Sequence, residues 1–239
     1  MRRLRLLMTF MKEDEMNEDK LSELIGYKFK DKSLLKRALT HSSYANENKD
    51  VSYGDNERLE FLGDAVLEIV TSDFLYKKYP EKREGELSKL RASIVCEQTL
   101  DLCAKPMDFC KYIYLGKGEE NTGGRKRPSI ISDAFEALIG ALYLDGGMEP
   151  AKKFIQKYVL EDVESKQLYV DSKTHLQEYV QGKYHSVPKY VQVGEEGPEH
   201  NKTFFVDLYV NDIKISSGEG HNKKAAEQQA AYNALVLLR

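Results

Sequence analysis

Tryptophan is absent from this 239-residue chain, and cysteine and proline are scarce, with three and six residues respectively. Cys96, Cys103 and Cys110 form no CxxC pair and no cluster with histidine, so the sequence shows neither a zinc-binding pattern nor a disulfide framework. We interpret the cysteines as small buried apolar residues rather than as a metal site. This usage is typical of a reducing compartment, and we expect a cytoplasmic location.

Long hydrophobic runs are also missing. No apolar stretch approaches the ~20 residues that a membrane-spanning helix needs, so we expect no membrane partner. The first residues combine Arg2, Arg3 and Arg5 with a short apolar segment, but no small-residue cleavage site follows. We therefore expect residues 1–16 to be a disordered or frayed basic extension rather than a signal peptide.

Neither sign of charge dominates the chain, which has 36 Lys and Arg residues against 39 Asp and Glu residues and a formal net charge of −3. This nearly equal charge balance gives no hint of a polyanionic partner. Any binding of nucleic acid must therefore depend on local clusters. With 41% hydrophobic and 31% charged residues, the composition is that of a folded protein. The length suffices for one large domain or two smaller ones.

Acidic residues recur at helical spacing in two separate stretches. Glu57, Glu60 and Asp64 stand at positions i, i+3 and i+7, and Asp133 and Glu136 at i and i+3, so each set shares one helix face. Like charges on one face destabilise a helix unless something neutralises them. A solvated acidic face is one interpretation and a divalent cation is the other; repetition in two apolar contexts favours the cation.

Apolar periodicity near 3.6 runs through residues 17–160, which predicts an all-α N-terminal domain. In the first acidic helix, the residues opposite the carboxylates are expected to form the buried stripe: Leu59, Leu62, Val66 and Ile69. Residues 116–128 are polar and rich in glycine but lack the spacing of a P-loop or a dinucleotide fingerprint. We expect a surface loop there, with substrate contact as the alternative, and no nucleotide cofactor.

The C-terminal part follows a different pattern. A short polar stretch over 164–171 is expected to be a linker, and a brief helix begins near Thr174. Period-two alternation over 189–193 and 203–210 predicts two strands, and Asn211-Asp212 predicts a hairpin turn into a third. With a terminal helix from about Asn222, the order α-β-β-β-α indicates a small α+β domain.

The segment NERLEFLGD at 56–64 resembles the signature of ribonuclease III, the family of double-stranded-RNA endonucleases. The segments at 39–47, 85–92 and 132–141 are similar to that family as well, and the C-terminal part resembles its double-stranded-RNA-binding domain. The resemblance implies an endonuclease domain over 17–163, a linker over 164–171 and an RNA-binding domain over 172–239.

The resemblance also implies roles for the acidic residues. Those that match the family's metal-coordinating carboxylates are Glu60, Asp64, Asp133 and Glu136. Four hard oxygen ligands suit Mg²⁺, with Mn²⁺ as a substitute. Glu57 and Glu84 match acids placed nearer the RNA, so the residues expected to be catalytic are Asp64, Glu136, Glu57 and Glu84.

Further expectations concern assembly and products. The family forms a homodimer in which each site cuts one strand, leaving 5′-phosphate and 3′-hydroxyl ends with short 3′ overhangs, and it processes ribosomal RNA precursors and other RNAs. Phe61 lies beside the carboxylates in sequence. Periodicity alone allows it to pack within its own subunit or against a partner, and the resemblance favours the partner.

By the same resemblance, three patches of the C-terminal domain contact RNA. The first comprises Thr174, Gln177 and Glu178; the second is the loop 198–201 with His200; the third comprises Asn222, Lys223 and Lys224. Such a domain reads the A-form shape of a duplex over ~16 base pairs with little base specificity.

The charge of this domain does not match a typical RNA binder, because residues 171–239 contain eight Lys and Arg against nine Asp and Glu. Glu227 also stands where many such domains have a basic residue. We therefore expect weak binding by the isolated domain, so that the avidity of a dimer is needed.

Two other functions compete with duplex-RNA cleavage. A regulatory RNA-binding protein could keep this fold without cleaving, although retention of all four metal-matching acids argues against it. A hydrolase of small phosphates would leave the C-terminal domain without a purpose.

Overall fold

The computed structural model describes residues 18–48, 51–170, 172–197, 202–220 and 222–238, with the backbone alone at 165, 167 and 170. The chain divides into two compact units, Met1–Glu161 and Asp162–Arg239. The predicted extension 1–16 and the loop 198–201 with His200 lie outside the described residues.

The described part of the first unit is helical apart from an isolated bridge between Thr40 and Tyr114, which confirms the all-α prediction. Its helices are α1 (18–25), α2 (Lys32–Ala38), α3 (Ser42–Glu47), α4 (Glu57–Lys78), α5 (Glu84–Ile94), α6 (Glu97–Ala104), α7 (Lys117–Asn121), α8 (Pro128–Gly146) and α9 (Met148–Ile155). The 3₁₀ turns are Lys105–Met107, Phe109–Tyr112 and Gly124–Lys126, and a π-helical turn, Gln156–Leu160, follows α9.

Helix α8 is the centre of this unit, and most of its residues from Ile130 to Leu142 are buried. Its Phe135 ring packs edge-on against Phe109, with ring centroids 5.7 Å apart, and 5.1 Å from the ring centroid of Phe154. Pro128 stands at the first position of α8, where a missing N–H costs no hydrogen bond.

The buried side of α4 differs in part from the predicted stripe. Leu59 and Val66 are buried as expected, whereas Ile69 is 58% exposed. The buried residues further along the helix are Leu67, Val70, Thr71 and Leu75. The apolar side is therefore rotated away from Ile69 in the second half of α4.

The second unit contains α10 (Val163–Val170), α11 (Ser172–Tyr184), β1 (Lys189–Glu196), β2 (Thr203–Val210), β3 (Ile213–Gly220) and α12 (Lys223–Leu238). The strands form an antiparallel sheet in the order β1-β2-β3, as predicted for an α+β domain. Asn211 and Asp212 both have positive φ angles, 49° and 62°, and Val210 pairs with Ile213. The hairpin turn is thus confirmed, with the backbone twist that suits a two-residue connection.

The core of the second unit lies between the sheet and the helices. Its buried residues come from α10, α11, β2 and α12: Leu168, Leu176, Val180, Leu208, Val210, Ala230, Ala231, Ala234 and Leu235. Helix α10 occupies most of the stretch 164–171 that the sequence predicts to be a linker. Along the chain, the first compact unit ends at Glu161 and the second begins at Asp162. The boundaries 17–163 and 172–239 stay a prediction.

Two further observations bear on the composition. In the described part of the chain, no helix combines the length and hydropathy needed to cross a membrane. The three cysteines are free thiols; Cys103 is buried, and Cys96 and Cys110 are partly exposed.

Candidate functional site

The first acidic set lies at the start of α4, whose entry is fixed by backbone contacts. The amide of the buried Asn56 donates to the Thr40 carbonyl at 2.9 Å, and the amide of Glu60 donates to the Asn56 carbonyl at 2.9 Å. Glu57 and Asp64 are exposed and Glu60 is half-buried. The helix therefore presents the three carboxylates at the positions that the sequence predicts.

The second acidic set lies on α8 and is pressed against α4. A Cβ atom added to Gly63 would lie 1.8 Å from the Glu136 carbonyl oxygen, and one added to Gly140 would lie 2.3 Å from the Leu59 carbonyl oxygen. The two helices thus touch through their backbones, with no side chain between them at these points. This close approach brings Asp133 and Glu136 beside Glu60 and Asp64.

The pKa values show that these four carboxyl groups affect one another. Burial raises the pKa of Glu136 to about 8, and the charges of Asp64, Glu60 and Asp133 act in the same direction. Burial also raises the pKa of Glu60, reinforced by Asp133, Glu57 and Asp64. The pKa of Asp64 is raised by burial and by Glu68. Distant parts of the sequence therefore meet in one acidic cluster: Glu60, Asp64, Asp133 and Glu136.

Asp133 has a more complex environment, which the sequence did not indicate. Burial raises the pKa of Asp133, and the nearby Glu97 carboxylate raises it further. A hydrogen bond from the Ser132 hydroxyl and the nearby His41 lower it. Sequence reasoning assigned no role to Glu97 or to His41. The only available signal for His41 was its place in the segment 39–47.

His41 is held rigidly in this position. Its amide donates to the Tyr114 carbonyl at 3.1 Å, and its Nδ1 accepts from the amide of Ser43 at 3.2 Å as the N-cap of α3. The imidazole is therefore a fixed neighbour of the acidic cluster.

The acidic cluster fits a hard cation in its chemistry but is not closed around one. No described Lys or Arg forms an ion pair with any of the four carboxylates. Uncompensated acids in a partly buried site, all with oxygen donors, suit Mg²⁺ or Mn²⁺. Across the described residues, however, no three His, Cys, Asp or Glu side chains are placed to hold a metal ion together. The metal ligands therefore remain a prediction.

Glu57 and Glu84 differ from the acidic cluster. Both are exposed; the charge of Glu57 reaches Glu60, whereas Glu84 begins α5 and accepts a 2.7 Å hydrogen bond from the Ser88 hydroxyl. The structure leaves both carboxylates open to a large ligand.

The C-terminal candidates are exposed on two helices. Thr174, Gln177 and Glu178 lie on α11, one turn apart. Lys223 and Lys224 open α12, and Asn222 caps it by accepting from the amide of Ala225 at 2.8 Å. The Asn222 side-chain oxygen therefore stabilises the helix, which leaves its amide nitrogen for other contacts.

A cleft of about 300 Å³ lies elsewhere on the first unit, between the second half of α4 and the end of α9. Its lysines, Lys77, Lys78 and Lys152, stand in the last turns of these helices. Cations at helix C-termini are stabilised by the helix dipole, so the lysines have a structural explanation. None of the predicted acidic residues lines this cleft.

Comparisons with known proteins agree with this architecture. The family model described as "Ribonuclease-III-like" matches residues 31–163, and the "Double-stranded RNA binding motif" matches residues 172–238. The chain is 48% identical over 223 residues to "Ribonuclease 3" of Listeria monocytogenes serotype 4a, covering 92% of this chain and 97% of the relative. It is also 48% identical over 225 residues to "Ribonuclease 3" of Pelotomaculum thermopropionicum, with 92% and 93% covered.

Solved structures show the same relationship for the first unit. The nuclease domain of ribonuclease III from Campylobacter jejuni is 44% identical and superposes with a TM-score of 0.56, covering 60% of this chain and 96% of that chain. Identity at this level over nearly the whole length of the relatives, together with both family matches, leaves one conclusion. The chain belongs to the ribonuclease III family, and it is of the bacterial type with a C-terminal double-stranded-RNA-binding domain.

Proposed function

We propose that this protein is a divalent-cation-dependent endoribonuclease that hydrolyses phosphodiester bonds in double-stranded RNA. The products are 5′-phosphate and 3′-hydroxyl ends with short 3′ overhangs, and the substrates include precursors of ribosomal and other RNAs. The observation that carries the proposal is the acidic cluster between α4 and α8, in a chain that also has a double-stranded-RNA-binding motif.

The acidic cluster would hold the cation through Glu60, Asp64, Asp133 and Glu136. When bound, Mg²⁺ or Mn²⁺ supplies Lewis acidity at the scissile phosphate and lowers the pKa of a coordinated water. Without a cation, the raised pKa of Glu136 keeps a proton on this carboxyl near neutral pH. Ionisation of Glu136 therefore accompanies cation binding, since ligands must be deprotonated.

The remaining site residues bind and orient the RNA. The exposed carboxylates of Glu57 and Glu84 would lie nearer to the RNA than the acidic cluster does. In the second unit, Thr174, Gln177 and Glu178 would face a minor groove and its 2′-hydroxyls. Lys223 and Lys224 would contact phosphates at a helix N-terminus, which itself favours anions. RNA contact by the loop 198–201 with His200 also belongs to the proposal.

The protein is proposed to act as a homodimer in the cytoplasm. Phe61 is 81% exposed in the single chain and follows Glu60 directly. An aromatic ring so exposed beside an acidic cluster supports a partner surface at this position. The related nuclease domain from Campylobacter jejuni has a region involved in dimer formation. The free thiols are consistent with a reducing compartment.

Glu136→Gln tests the proposed function, with Glu149→Gln as the matched control. Both substitutions remove one carboxylate, but the Glu149 side chain is 73% exposed on α9 and forms an ion pair with Lys153. With long duplex RNA and Mg²⁺, we expect Glu136→Gln to lose more than about 100-fold in cleavage rate and to keep duplex binding, because a ligand and not a binding surface is lost. The control should cleave like the wild type.

Two results would contradict the proposal. Wild-type turnover by Glu136→Gln would remove Glu136 from the site. Duplex binding without cleavage by the wild type would indicate a non-cleaving RNA-binding protein instead.

A further inference from the structure

An ion pair joins the first turn of α11 to the second turn of α12. Lys173 Nζ lies 2.6 Å from Glu227 Oε2, and the two side chains are 36% and 18% exposed. A carboxylate this far withdrawn from water is costly unless it is paired and hydrogen-bonded. The contact therefore differs from exposed surface ion pairs, which contribute little.

Tyr190 of β1 completes the arrangement. The Lys173 ammonium lies 4.8 Å from the centroid of the Tyr190 ring, within the range of a cation–π interaction. The phenolic oxygen is buried and has no hydrogen-bond partner in the described structure. Burial and the charge of Glu227 raise the pKa of Tyr190 to about 12. Lys173, Glu227 and Tyr190, here called the clamp, thus connect α11, α12 and β1.

Neighbouring contacts hold the same junction. The Ser172 hydroxyl donates to the Gln228 carbonyl at 3.0 Å, and the Gln228 side-chain amide donates to the Tyr169 carbonyl at 2.6 Å. The rings of Tyr169 and Tyr232 pack with centroids 5.2 Å apart. The end of α10 and the start of α11 are therefore both fixed to α12.

Four of the residues proposed to contact RNA lie within about one helical turn of the clamp. On α11, Thr174 follows Lys173 and Gln177 is four residues on. On α12, Lys223 and Lys224 precede Glu227 by four and three residues, which places them on its side of the helix. The clamp is thus adjacent to both proposed RNA surfaces.

Within the clamp, Lys173 binds Glu227, the one carboxylate on α12 that could otherwise neutralise the lysines proposed to bind phosphate. A Glu three or four residues from a Lys on a helix can form an ion pair with it. Glu227 is instead bound by Lys173. Neither Lys223 nor Lys224 has an ion-pair partner among the described residues. This gives a role to an acid that would otherwise oppose RNA binding.

We propose that Lys173, Glu227 and Tyr190 are positioning residues that fix the spacing between the α11 and α12 surfaces for duplex RNA. The inference rests on the proposed binding of duplex RNA. A domain of this kind contacts two successive minor grooves and the phosphates between them over ~16 base pairs. A fixed spacing therefore matters for a stem that reaches both surfaces and has little effect on a shorter one.

The test compares Glu227→Gln, Lys173→Met and a control, Lys214→Met, in the full chain without divalent cations, so that binding occurs without cleavage. Lys214 forms a 2.7 Å ion pair with Asp207 between β2 and β3, and its loss changes the charge as Lys173→Met does. Dissociation constants are measured for RNA hairpins with stems of about 16 and about 8 base pairs.

Glu227→Gln separates positioning from simple electrostatics, because it removes a negative charge from an RNA-binding surface. Electrostatics alone predicts tighter binding, whereas the clamp predicts that both clamp variants lose about tenfold in affinity for the long stem, the equivalent of about 1.4 kcal/mol. The short stem should change by less than about twofold, and the control should keep the wild-type ratio of the two affinities.

Equal or tighter binding of the long stem by Glu227→Gln, or equal losses in Lys173→Met and Lys214→Met, would overturn the clamp. A wild type that binds neither stem would refute the proposed duplex binding instead. Hydrogen exchange then decides about the clamp: amides in the first turns of α11 must exchange faster in Glu227→Gln than in Lys214→Met, and equal rates would overturn it.

Discussion

At the scale of single residues, the ionisation of Glu136 depends on the fold. Its pKa rises from the ordinary value of 4.5 to about 8, first because it is buried and then because three carboxylates face it. Such changes cluster at functional sites because catalytic and metal-binding groups need them. In the cation-free protein, the folded chain holds a proton that the unfolded chain releases at lower pH.

This difference makes the stability of the cation-free protein depend on pH. A pKa raised by folding contributes stability that is fully present below the unfolded value of 4.5 and is lost as the pH rises through about 8. Glu60, Asp64 and Asp133 act in the same direction. We expect the thermal midpoint of the endonuclease domain, measured by calorimetry with a chelator, to decrease as the pH rises from about 5 to about 9.

Two comparisons check that the acidic cluster is the cause. Glu136→Gln should flatten the pH profile, and the Glu149→Gln control should not. Added Mg²⁺ should reduce the fall because a cation stabilises the ionised carboxylates. A profile that is equally steep in Glu136→Gln and in the wild type would contradict the assignment.

At the scale of elements, the acidic cluster depends on how closely α4 approaches α8. Gly63→Ala should destabilise the domain by about 1–3 kcal/mol, because the new methyl group would overlap the Glu136 carbonyl and push the helices apart. Cleavage should fall with it, since the carboxylates separate. The measurement is denaturant unfolding alongside cleavage of duplex RNA.

Gly85→Ala is the control for this prediction. Gly85 is the second residue of α5 with nothing within 4 Å of an added Cβ, so alanine, the better helix former, should not destabilise the domain. If Gly63→Ala were as stable and active as the wild type, the backbone contact would not set the geometry of the site.

Elements with a strong local pattern could be predicted from the sequence. The periodicity of α4 and α8 and the Asn211-Asp212 turn correspond to what the structure shows. Helix α7 could not be predicted, because its start depends on a distant residue. The Glu47 carboxylate accepts from the amides of Lys117 and Gly118 at 2.8 and 3.2 Å, and these bonds lower the pKa of Glu47.

The candidate site was predictable in its acids but not in their surroundings. Spacing identified the two acidic sets, and the resemblance joined them. The proximity of His41 to Asp133 is set by the bonds of residues 40 and 41 to Asn56 and Tyr114, which no local pattern encodes. The burial that raises the pKa of Glu136 likewise depends on packing across α4 and α8.

At the scale of the whole molecule, the acidic cluster and the lysines at the start of α12 have opposite charges, and both are proposed to bind the same RNA. The acidic cluster, the proposed cation site, would repel RNA phosphates in the absence of a cation, whereas Lys223 and Lys224, the proposed phosphate contacts, would attract them. Residues 171–239 contain eight Lys and Arg against nine Asp and Glu, so attraction to RNA must come from local groups and not from the net charge of the domain.

Exposed apolar side chains on α4 indicate how two copies would assemble. Phe61, Ile69 and Tyr76 are 81%, 58% and 73% exposed in the single chain, and burying each against a partner would contribute about 1.5–3 kcal/mol. Phe61→Glu should therefore produce a monomer in sedimentation velocity at concentrations where the wild type is a dimer, because a charge would replace the buried ring. Ile213→Glu, at a residue 66% exposed on β3, should leave the dimer intact. Since each site is proposed to cut one strand, the Phe61→Glu monomer should also lose coordinated cleavage of both strands. A Phe61→Glu chain that sediments as the wild type does would place the partner surface elsewhere.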